Sequence, residues 1–508
     1  MQKKLYIGVD LGTSFIKSAV YDLAGKCHAE ASEPVADERP APGVFLQRGE
    51  MLFESVCRCI RKTTEALGTD AACVSAMAFT GQMAGCMGID AEWNDVTTWS
   101  CTLDSRYMPY LAEQLERHGD ELYRISGTSS PVMCGKYAWF RDTFPNEARR
   151  IAKYTMLNGY IIGRLSEINV SEVSIDTSLI AWTGMADLKH GAWSETLCRD
   201  MEIDRALLPN IGGCAKIGGY LSERAANRLG LKPGLPLVLG AGDKVAGCIG
   251  AGVSRDGDRI FEASSYAALS VQVDDFRPDT AEREFDIIGG IRPDSYYAHK
   301  YLQGSGITLD WFVNEFVRLE GEKSSAAFRR IEALAAQAPI GSDRMLSIGL
   351  LGGSAMPFQP HQKGLFFGHT WSHGKGHFYR SLLEGFTFEL AGLLQSIGRL
   401  YPQYTDGAIK LIGGGAKSSI WPQMMADITG ETFAVLDRND VALWGAALLA
   451  AAAVGGVDDI HAAADRAVSV AREYIPDPSS TAAYAPYVRE YLVLRKELQA
   501  YYTTLDKL

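Results

Sequence analysis

Along the chain, apolar runs are interrupted by glycines and small hydroxyl residues at positions that predict strands closed by polar turns. Leu5-Tyr6-Ile7 leads into Gly8-Val9-Asp10-Leu11-Gly12-Thr13-Ser14, and Phe15-Ile16-Lys17-Ser18-Ala19-Val20-Tyr21-Asp22 follows with the alternation of a returning strand. This pattern predicts a β-hairpin with a polar tip. A second unit of the same kind, apolar strand, small hydroxyl turn, apolar strand, spans Arg259 to Val271. Further strands are expected at Ala76-Met77-Ala78-Phe79 and Pro236-Leu237-Val238-Leu239, and helices at Leu111 to Arg117, Asn146 to Tyr154 and the alanine-rich Ala446 to Ala453. The alternation of strands and helices predicts an α/β fold. Two similar hairpins, one opening each half, imply a duplicated fold with a cleft between the halves. The boundary is expected near residue 255, where Gly252-Val253-Ser254-Arg255-Asp256-Gly257-Asp258 forms a polar, glycine-punctuated turn, dividing the chain into 1–254 and 255–508.

Size supports two units, because 508 residues exceed what one hydrophobic core usually serves. The 47% hydrophobic and 22% charged composition is that of a globular protein, and a net charge of −11 argues against a general nucleic-acid or membrane-surface binder. Any anionic ligand must therefore be met locally. No apolar run reaches transmembrane length, and Met1-Gln2-Lys3-Lys4 leads directly into a strand rather than a signal-peptide core, so a cytoplasmic enzyme is expected. The ten cysteines are scattered, with Cys57-Arg58-Cys59 the one close pair, which points to buried small residues and not to a zinc array or a disulfide framework. A homodimer is compatible with the chain, whose sequence carries no direct mark of an interface.

The chemistry concentrates on two glycine-rich segments that each place an aspartate beside flexible backbone, around Asp10 and at Gly240-Ala241-Gly242-Asp243-Lys244. Together they suggest phosphoryl transfer. Gly12 lets backbone approach an anion, Thr13 and Ser14 offer hydroxyls, Lys17 adds positive charge, and Asp10 is placed to hold Mg²⁺ directly or through water. An ordinary tight turn is the alternative for the first segment, and a helix-capping aspartate for the second.

Five further segments, in order, resemble the FGGY carbohydrate kinases, the family of glycerol, xylulose, ribulose and gluconate kinases, over nearly the whole chain. Gly364-Leu365-Phe366-Phe367-Gly368-His369 with His377-Phe378-Tyr379-Arg380-Ser381-Leu382-Leu383-Glu384-Gly385 is similar to the family's carboxyl-domain signature, with His369 where an aliphatic residue is usual. Lys136-Tyr137-Ala138-Trp139-Phe140 is similar to the core of the amino-domain signature, from which Met133 and Thr143 depart. Gly413-Gly414-Gly415-Ala416-Lys417-Ser418 and the following Trp421-Pro422-Gln423-Met424-Met425-Ala426-Asp427 resemble the nucleotide loop and its helix.

The resemblance implies two ribonuclease-H-like domains of the actin and hexokinase type around a central cleft, a sugar-binding domain at 1–254 and a nucleotide-binding domain at 255–508. Asp243 then matches the catalytic base. Lys244 stands where the family often carries a small polar residue or an amide, and is open to three readings: a sugar contact, a surface charge, or a partner that lowers the Asp243 pKa. Thr80-Gly81-Gln82-Met83-Ala84-Gly85 resembles the sugar segment Gly-Gln-Met-His-Gly of the xylulose kinases, with Ala84 in place of the histidine. Asp104 and Arg106 match the family's Asp-x-Arg sugar contact, although Trp99 lies several residues earlier than usual, so the loop is altered or extended. Asp176, in Ser174-Ile175-Asp176-Thr177-Ser178, falls in a segment that lies near the substrate in the family. For ATP, the match implies Gly414, Gly415, Ala416 and Lys417, the hydroxyls of Ser264 and Ser265 in Ala263-Ser264-Ser265 where Gly-Thr-Ser is usual, and Gly304 in the turn Gln303-Gly304-Ser305-Gly306. The last has an alternative reading as a strand-to-helix turn ending at Thr308. His361, His369, His373 and His377 read as a surface hairpin, since their spacing lacks the helical arrangement of two-histidine metal sites. Trp421, Met424 and Met425 read as helix core.

The expected function is ATP- and Mg²⁺-dependent phosphorylation of a small ketose, xylulose first, with ribulose, glycerol, gluconate and sedoheptulose as alternatives within the fold. A sugar-binding pseudokinase or an actin-like ATPase is the alternative from another class.

Overall fold

The computed structural model describes residues 3–505 except Pro293, Gln303, Met356, Pro357 and Pro360. Gln303, the first residue of one expected phosphate turn, thus lies outside the described residues, as do Met1 and Gln2.

The hairpin expected at the amino terminus forms. Leu5–Leu11 is apolar and buried along nearly its whole length, which fits a strand covered on both faces. It pairs antiparallel with Phe15–Tyr21, which pairs antiparallel with Cys27–Pro34, and on its other side it pairs parallel with Val74–Gly81. Pro236–Val238 and Ile217–Tyr220 complete a six-stranded sheet. The second sheet repeats this scheme. Arg259–Glu262 pairs antiparallel with Ala267–Val273 and parallel with Ile409–Ile412, and Tyr296–Leu302, Asp286–Gly289, Phe433–Leu436 and Val470–Tyr474 bring it to seven strands. Each sheet therefore carries a hairpin beside a parallel ladder, and the two hairpin tips, Gly12-Thr13-Ser14 and Ala263-Ser264-Ser265, are among the segments expected to meet phosphate.

Two helices join the sheets at very close range. The alanine-rich helix Val441–Ala453 packs on both the first strand and the helix Asp243–Gly250. Glycine makes this approach possible. A Cβ added to Gly445 would lie 1.9 Å from the Ala246 carbonyl oxygen, one on Gly250 1.8 Å from that of Val441, and one on Gly8 2.1 Å from that of Leu443.

Two local expectations are corrected. Asn146 to Tyr154 is not one helix: a short helix covers Pro145–Ala148, and Lys153–Thr155 is a strand paired antiparallel with Met87–Ile89. Burial of Tyr154 and Thr155 outweighs local helix preference there. The histidines do not form one hairpin, because a long helix, Lys375–Leu400, begins among them. His373 and His377 accept backbone N–H bonds from Thr370 and Gly374 through Nδ1 (2.8 and 3.2 Å), which orders the entry to that helix.

The long helix Pro478–Glu497, the last but one of the chain's described helices, is fastened by a buried ionic network. Arg495 pairs with Glu389 (2.7 Å) and with Glu284, Lys300 pairs with Glu284 (2.8 Å), and Tyr491 donates to Glu389 (2.8 Å). Burial alone would raise the Glu284 pKa, but Lys300 and Arg495 outweigh it and bring it down to about 2. A depressed carboxylate stabilises the fold above its unfolded pKa and loses that stabilisation as pH falls through the folded value. From pH 5 to pH 2, about 3 kcal/mol should therefore disappear with this one proton. Urea unfolding across that range should show a shallower loss for Glu284→Gln than for the natural sequence; equal slopes would show that another group governs the acid limb.

Candidate functional site

A cleft of about 490 Å³ opens between the two sheets. Its walls bring together Asp10 and Lys17 of the first hairpin, Asp243, and Gly414 and Lys417 of one turn, all expected from the sequence, and add Lys244, Glu262, Ser270 and Asp440. Asp10 and Lys17 face each other across the first hairpin because antiparallel register pairs them. Burial and then the neighbouring Asp243 carboxylate push the Asp10 pKa up to about 7, while Lys17 and Lys244 pull the other way. Two carboxylates crowded in this manner are relieved by a cation, and one or two carboxylates with water and phosphate are the usual surroundings of Mg²⁺. Among the described residues no group of three or more histidine, cysteine or acidic side chains forms a closed protein cage for a metal. The donor set fits an ion shared with phosphate.

Asp243 is the first residue inside its helix, and the N-cap is Gly242, with no side-chain cap bond. The capping alternative does not describe this aspartate. Burial raises its pKa first; Lys244 lowers it and Glu262 raises it further. The loop that presents it is anchored from behind. The Gly242 N–H donates to Ser178 Oγ (2.9 Å), which donates to Asp176 Oδ1 (2.5 Å), while Asn158 Nδ2 donates to Asp176 Oδ2 (2.8 Å). Asp176 is fully buried, and burial pushes its pKa up to about 6. It reaches the backbone that carries Asp243 through Ser178 and does not line the cleft.

Three turns on the second sheet's side are stitched to one another. Gly415 N–H donates to the Ala263 carbonyl (2.8 Å), and Gly306 and Ile307 N–H donate to the carbonyls of Ser264 and Ser265 (3.0 and 3.1 Å). Gly413, with φ 94°, leaves room for Ala263, since an added Cβ would lie 2.6 Å from the Ala263 oxygen. The methyl of Ala263 is 2% exposed and packs toward Gly415, which removes it from the cleft. Ser265 and Gly414 remain exposed, as does Lys417. Gly304 caps the helix Ser305–Phe312 with φ 103° and does not line the cleft, so its turn joins a strand to a helix that runs past Thr308. Gly12, Thr13 and Ser14 form the tip of the first hairpin, and Gln47 Nε2 donates to the Thr13 carbonyl (2.9 Å). Ala416 lies in the short helical turn Gly414–Lys417.

The segment expected to meet sugar is built around Trp99. Its indole donates to Gln82 Oε1 (3.2 Å), and an added Cβ on Gly85 would lie 2.3 Å from its ring. Gln82 Nε2, Thr80 Oγ1 and Trp182 Nε1 are buried without partners among the described residues. Tyr301 reaches across from the second sheet, with its hydroxyl 3.9 Å from Met83 Sδ and its ring 6.3 Å from that of Trp182. Asp104 is fully buried, held by both arms of Arg106 (2.8 Å each) and by Ser100 Oγ (3.1 Å). Arg106 stacks over Trp139 at 4.3 Å. Beneath them Lys136 donates to the carbonyls of Ser100 (2.9 Å) and Cys101 (2.6 Å), and burial lowers its pKa to about 8. Lys136 thus ties the Trp99–Arg106 loop together, adding a second bond to carbonyls that already accept from the Cys86 and Asp104 backbone N–H groups.

Glu262, Tyr301, Trp182, Asn158 and Asp440 escape a reading by motif. Each comes from an element whose local sequence carries no ligand pattern, and its neighbours arrive from other segments: Lys244 for Glu262, Met83 and Trp182 for Tyr301, Asp176 for Asn158 and Tyr21 for Asp440.

Residues 5–250 match the FGGY family of carbohydrate kinases, N-terminal domain, and residues 275–454 match its C-terminal domain. The chain is similar to the gluconokinase of Bacillus subtilis (strain 168), 26% identical over 98% of this chain and 97% of that protein. It is similar to the xylulose kinase of the same organism, 25% identical over 95% of this chain and 94% of that protein. In structure it resembles ligand-bound xylulose kinase from Lactobacillus acidophilus, with a TM-score of 0.89 and 23% identity over 99% of this chain and 100% of that one. With both domain matches in chain order and the duplicated actin- and hexokinase-like fold around one cleft, the chain belongs to the FGGY family of carbohydrate kinases.

Proposed function

We propose that this carbohydrate kinase transfers the terminal phosphoryl group of ATP to a hydroxyl of a small neutral ketose, with xylulose the first candidate. The observation that carries the choice of a neutral substrate is the state of the sugar loop's cations: Arg106 is committed to Asp104 and Lys136 to backbone carbonyls. An aldonate needs a free cation for its carboxylate. A ketose instead needs donors and acceptors, which Gln82 Nε2, Thr80 Oγ1 and Trp182 Nε1 offer. Similarity to a gluconokinase favours gluconate as the second reading.

In this reading, the domain at 1–254 holds the sugar and the domain at 255–508 holds the nucleotide. Asp243 accepts the proton of the attacking hydroxyl as the bond from that oxygen to the γ-phosphorus forms and the bond to the β,γ-bridging oxygen breaks. Mg²⁺ held near Asp10 supplies charge neutralisation when bound. Lys17, Lys417 and the backbone of Gly12 and Gly414, with the hydroxyls of Thr13, Ser14, Ser264 and Ser265, position the phosphates. Asp176 positions Asp243 through Ser178 and Gly242. Gln82 and Met83 meet the sugar, and Asp104 with Arg106 shapes the loop beside it. The test is ADP release with ATP and Mg²⁺ against a panel of ketoses, alditols and aldonates. A ketose should stand out; an aldonate preferred over every ketose would reverse the choice, and no stimulation by any sugar would remove the reading. Gln82→Leu should raise KM for the preferred sugar about tenfold or more and leave that for ATP near its original value, because it removes a hydrogen-bonding group from one substrate alone.

A further inference from the structure

Lys244 and Glu262 meet across the cleft, Nζ to Oε2 at 2.5 Å. The pair links the helix that begins at Asp243 to the last residue of the strand Arg259–Glu262, and so links the two sheets. Neither side chain is a free surface charge, since they are 15% and 28% exposed and both line the cleft. Tyr301 closes one side, its ring centroid 5.6 Å from Nζ. A like-charged carboxylate beside a phosphate turn would ordinarily repel phosphate, and Lys244 cancels that charge in place.

Both ends of the contact are anchored to the parts that must meet during transfer. Lys244 shares the first helical turn with Asp243, so seating its side chain sets the direction of that turn. Glu262 directly precedes Ala263, whose N–H and carbonyl are bonded to Ile412 and Gly415 of the neighbouring turn (2.9 and 2.8 Å). Further along the same helix, Ala246 and Gly250 lie against Gly445 and Val441 of the helix Val441–Ala453 at the glycine crossing. If the two halves turn about this crossing, a contact so near it sets the angle of the cleft with little travel of its own.

We propose that Lys244 and Glu262 form a cross-cleft clasp that positions Asp243 against the phosphate turn Ala263-Ser264-Ser265, making both positioning residues for the transfer. This inference rests on the assignment of Asp243 as the base. Misplacement of a reacting group by about 1 Å can cost about a hundredfold in rate. Accordingly, Lys244→Met and Glu262→Gln should each lower kcat by about ten- to a hundredfold with sugar KM within about threefold of the original. The two changes together should be no worse than the poorer single one, because both break the same contact. The exchanged pair, Lys244→Glu with Glu262→Lys, should regain at least about tenfold over either reversal alone. Effects that multiply, an exchanged pair no better than its parts, or single variants within about twofold of the original would overturn the clasp. Glu262→Gln is nearly isosteric, so it keeps the test open should Lys244→Met fail to fold. The radius of gyration of the ligand-free protein in solution supplies a reading independent of activity: it should grow in each single variant and return in the exchanged pair. An unchanged radius with unchanged kcat overturns the clasp. If the natural protein shows no sugar-dependent turnover, the proposed reaction fails, and the radius alone decides whether the pair holds the cleft.

Discussion

Asparagine in place of Asp243 is expected to reduce sugar-dependent ADP release about a thousandfold, the middle of the range that general-base catalysis supplies. The change keeps size and shape and removes the ability to accept a proton. Gly242 still bonds to Ser178, and the helix start keeps its geometry, so binding of a non-hydrolysable ATP analogue should stay within about threefold. Retention of more than a tenth of the activity would show that proton removal is not the role of this carboxylate. The pH profile gives a second check. Burial and Glu262 raise the Asp243 pKa in the free cleft, so the acid form, which cannot take the hydroxyl proton, gains as pH falls. The natural protein should therefore lose kcat/KM on the acid side, while the residual rate of the asparagine variant should lack the limb set by that group.

The largest effect on stability is expected at Gly445, where local and tertiary preferences oppose each other. Inside a helix, alanine exceeds glycine by about 1 kcal/mol, so propensity alone predicts that Gly445→Ala stabilises. Packing predicts the reverse, because the new Cβ would lie 1.9 Å from a main-chain oxygen of the adjoining helix, which cannot turn aside as a flexible side chain would. Overpacking of this kind costs about 3 kcal/mol or more, leaving a net loss of about 2 kcal/mol. Urea midpoints should show that loss, and the variant should also lose turnover in excess of its instability if the crossing is the pivot of the cleft. Gly119→Ala is the matched control, since it lies inside the helix Met108–Ser126 with the nearest atoms 3.9 Å from its added Cβ, and it should be neutral or stabilise by up to about 1 kcal/mol. A stabilised Gly445→Ala would mean that the two helices do not meet at this distance.

The placement of site residues followed the same division between local and tertiary causes. Asp10 and Lys17 were legible as members of one hairpin, because a two-residue periodicity and a short turn mark it; that they face each other is a finding of the strand register. Asp104 and Arg106 were legible as partners in one loop, but not as a buried pair held over Lys136, because that depends on a helix some thirty residues further along. Asp176 and Ser178 share one segment, yet Asn158 and Gly242 come from separate ones, so the link from Asp176 through Ser178 to the backbone behind Asp243 had no trace in spacing. Tyr154 shows the limit most plainly: its surroundings read as helix, and a partner strand drawn from Met87–Ile89 made it β.

By itself the sequence determined the two hairpins and the order of the glycine turns, because these rest on hydrophobic periodicity and on local turn chemistry, which act between residues close in the chain, and the order of its motifs pointed to the FGGY family. The tertiary structure alone decided that Glu262 would meet Lys244, that Tyr301 would reach Met83, and that glycines 8, 250 and 445 would bring two sheets' worth of backbone into contact. These depend on the approach of elements far apart in sequence, where close packing and charge pairing are settled by shape, and no local pattern records which distant surface will arrive.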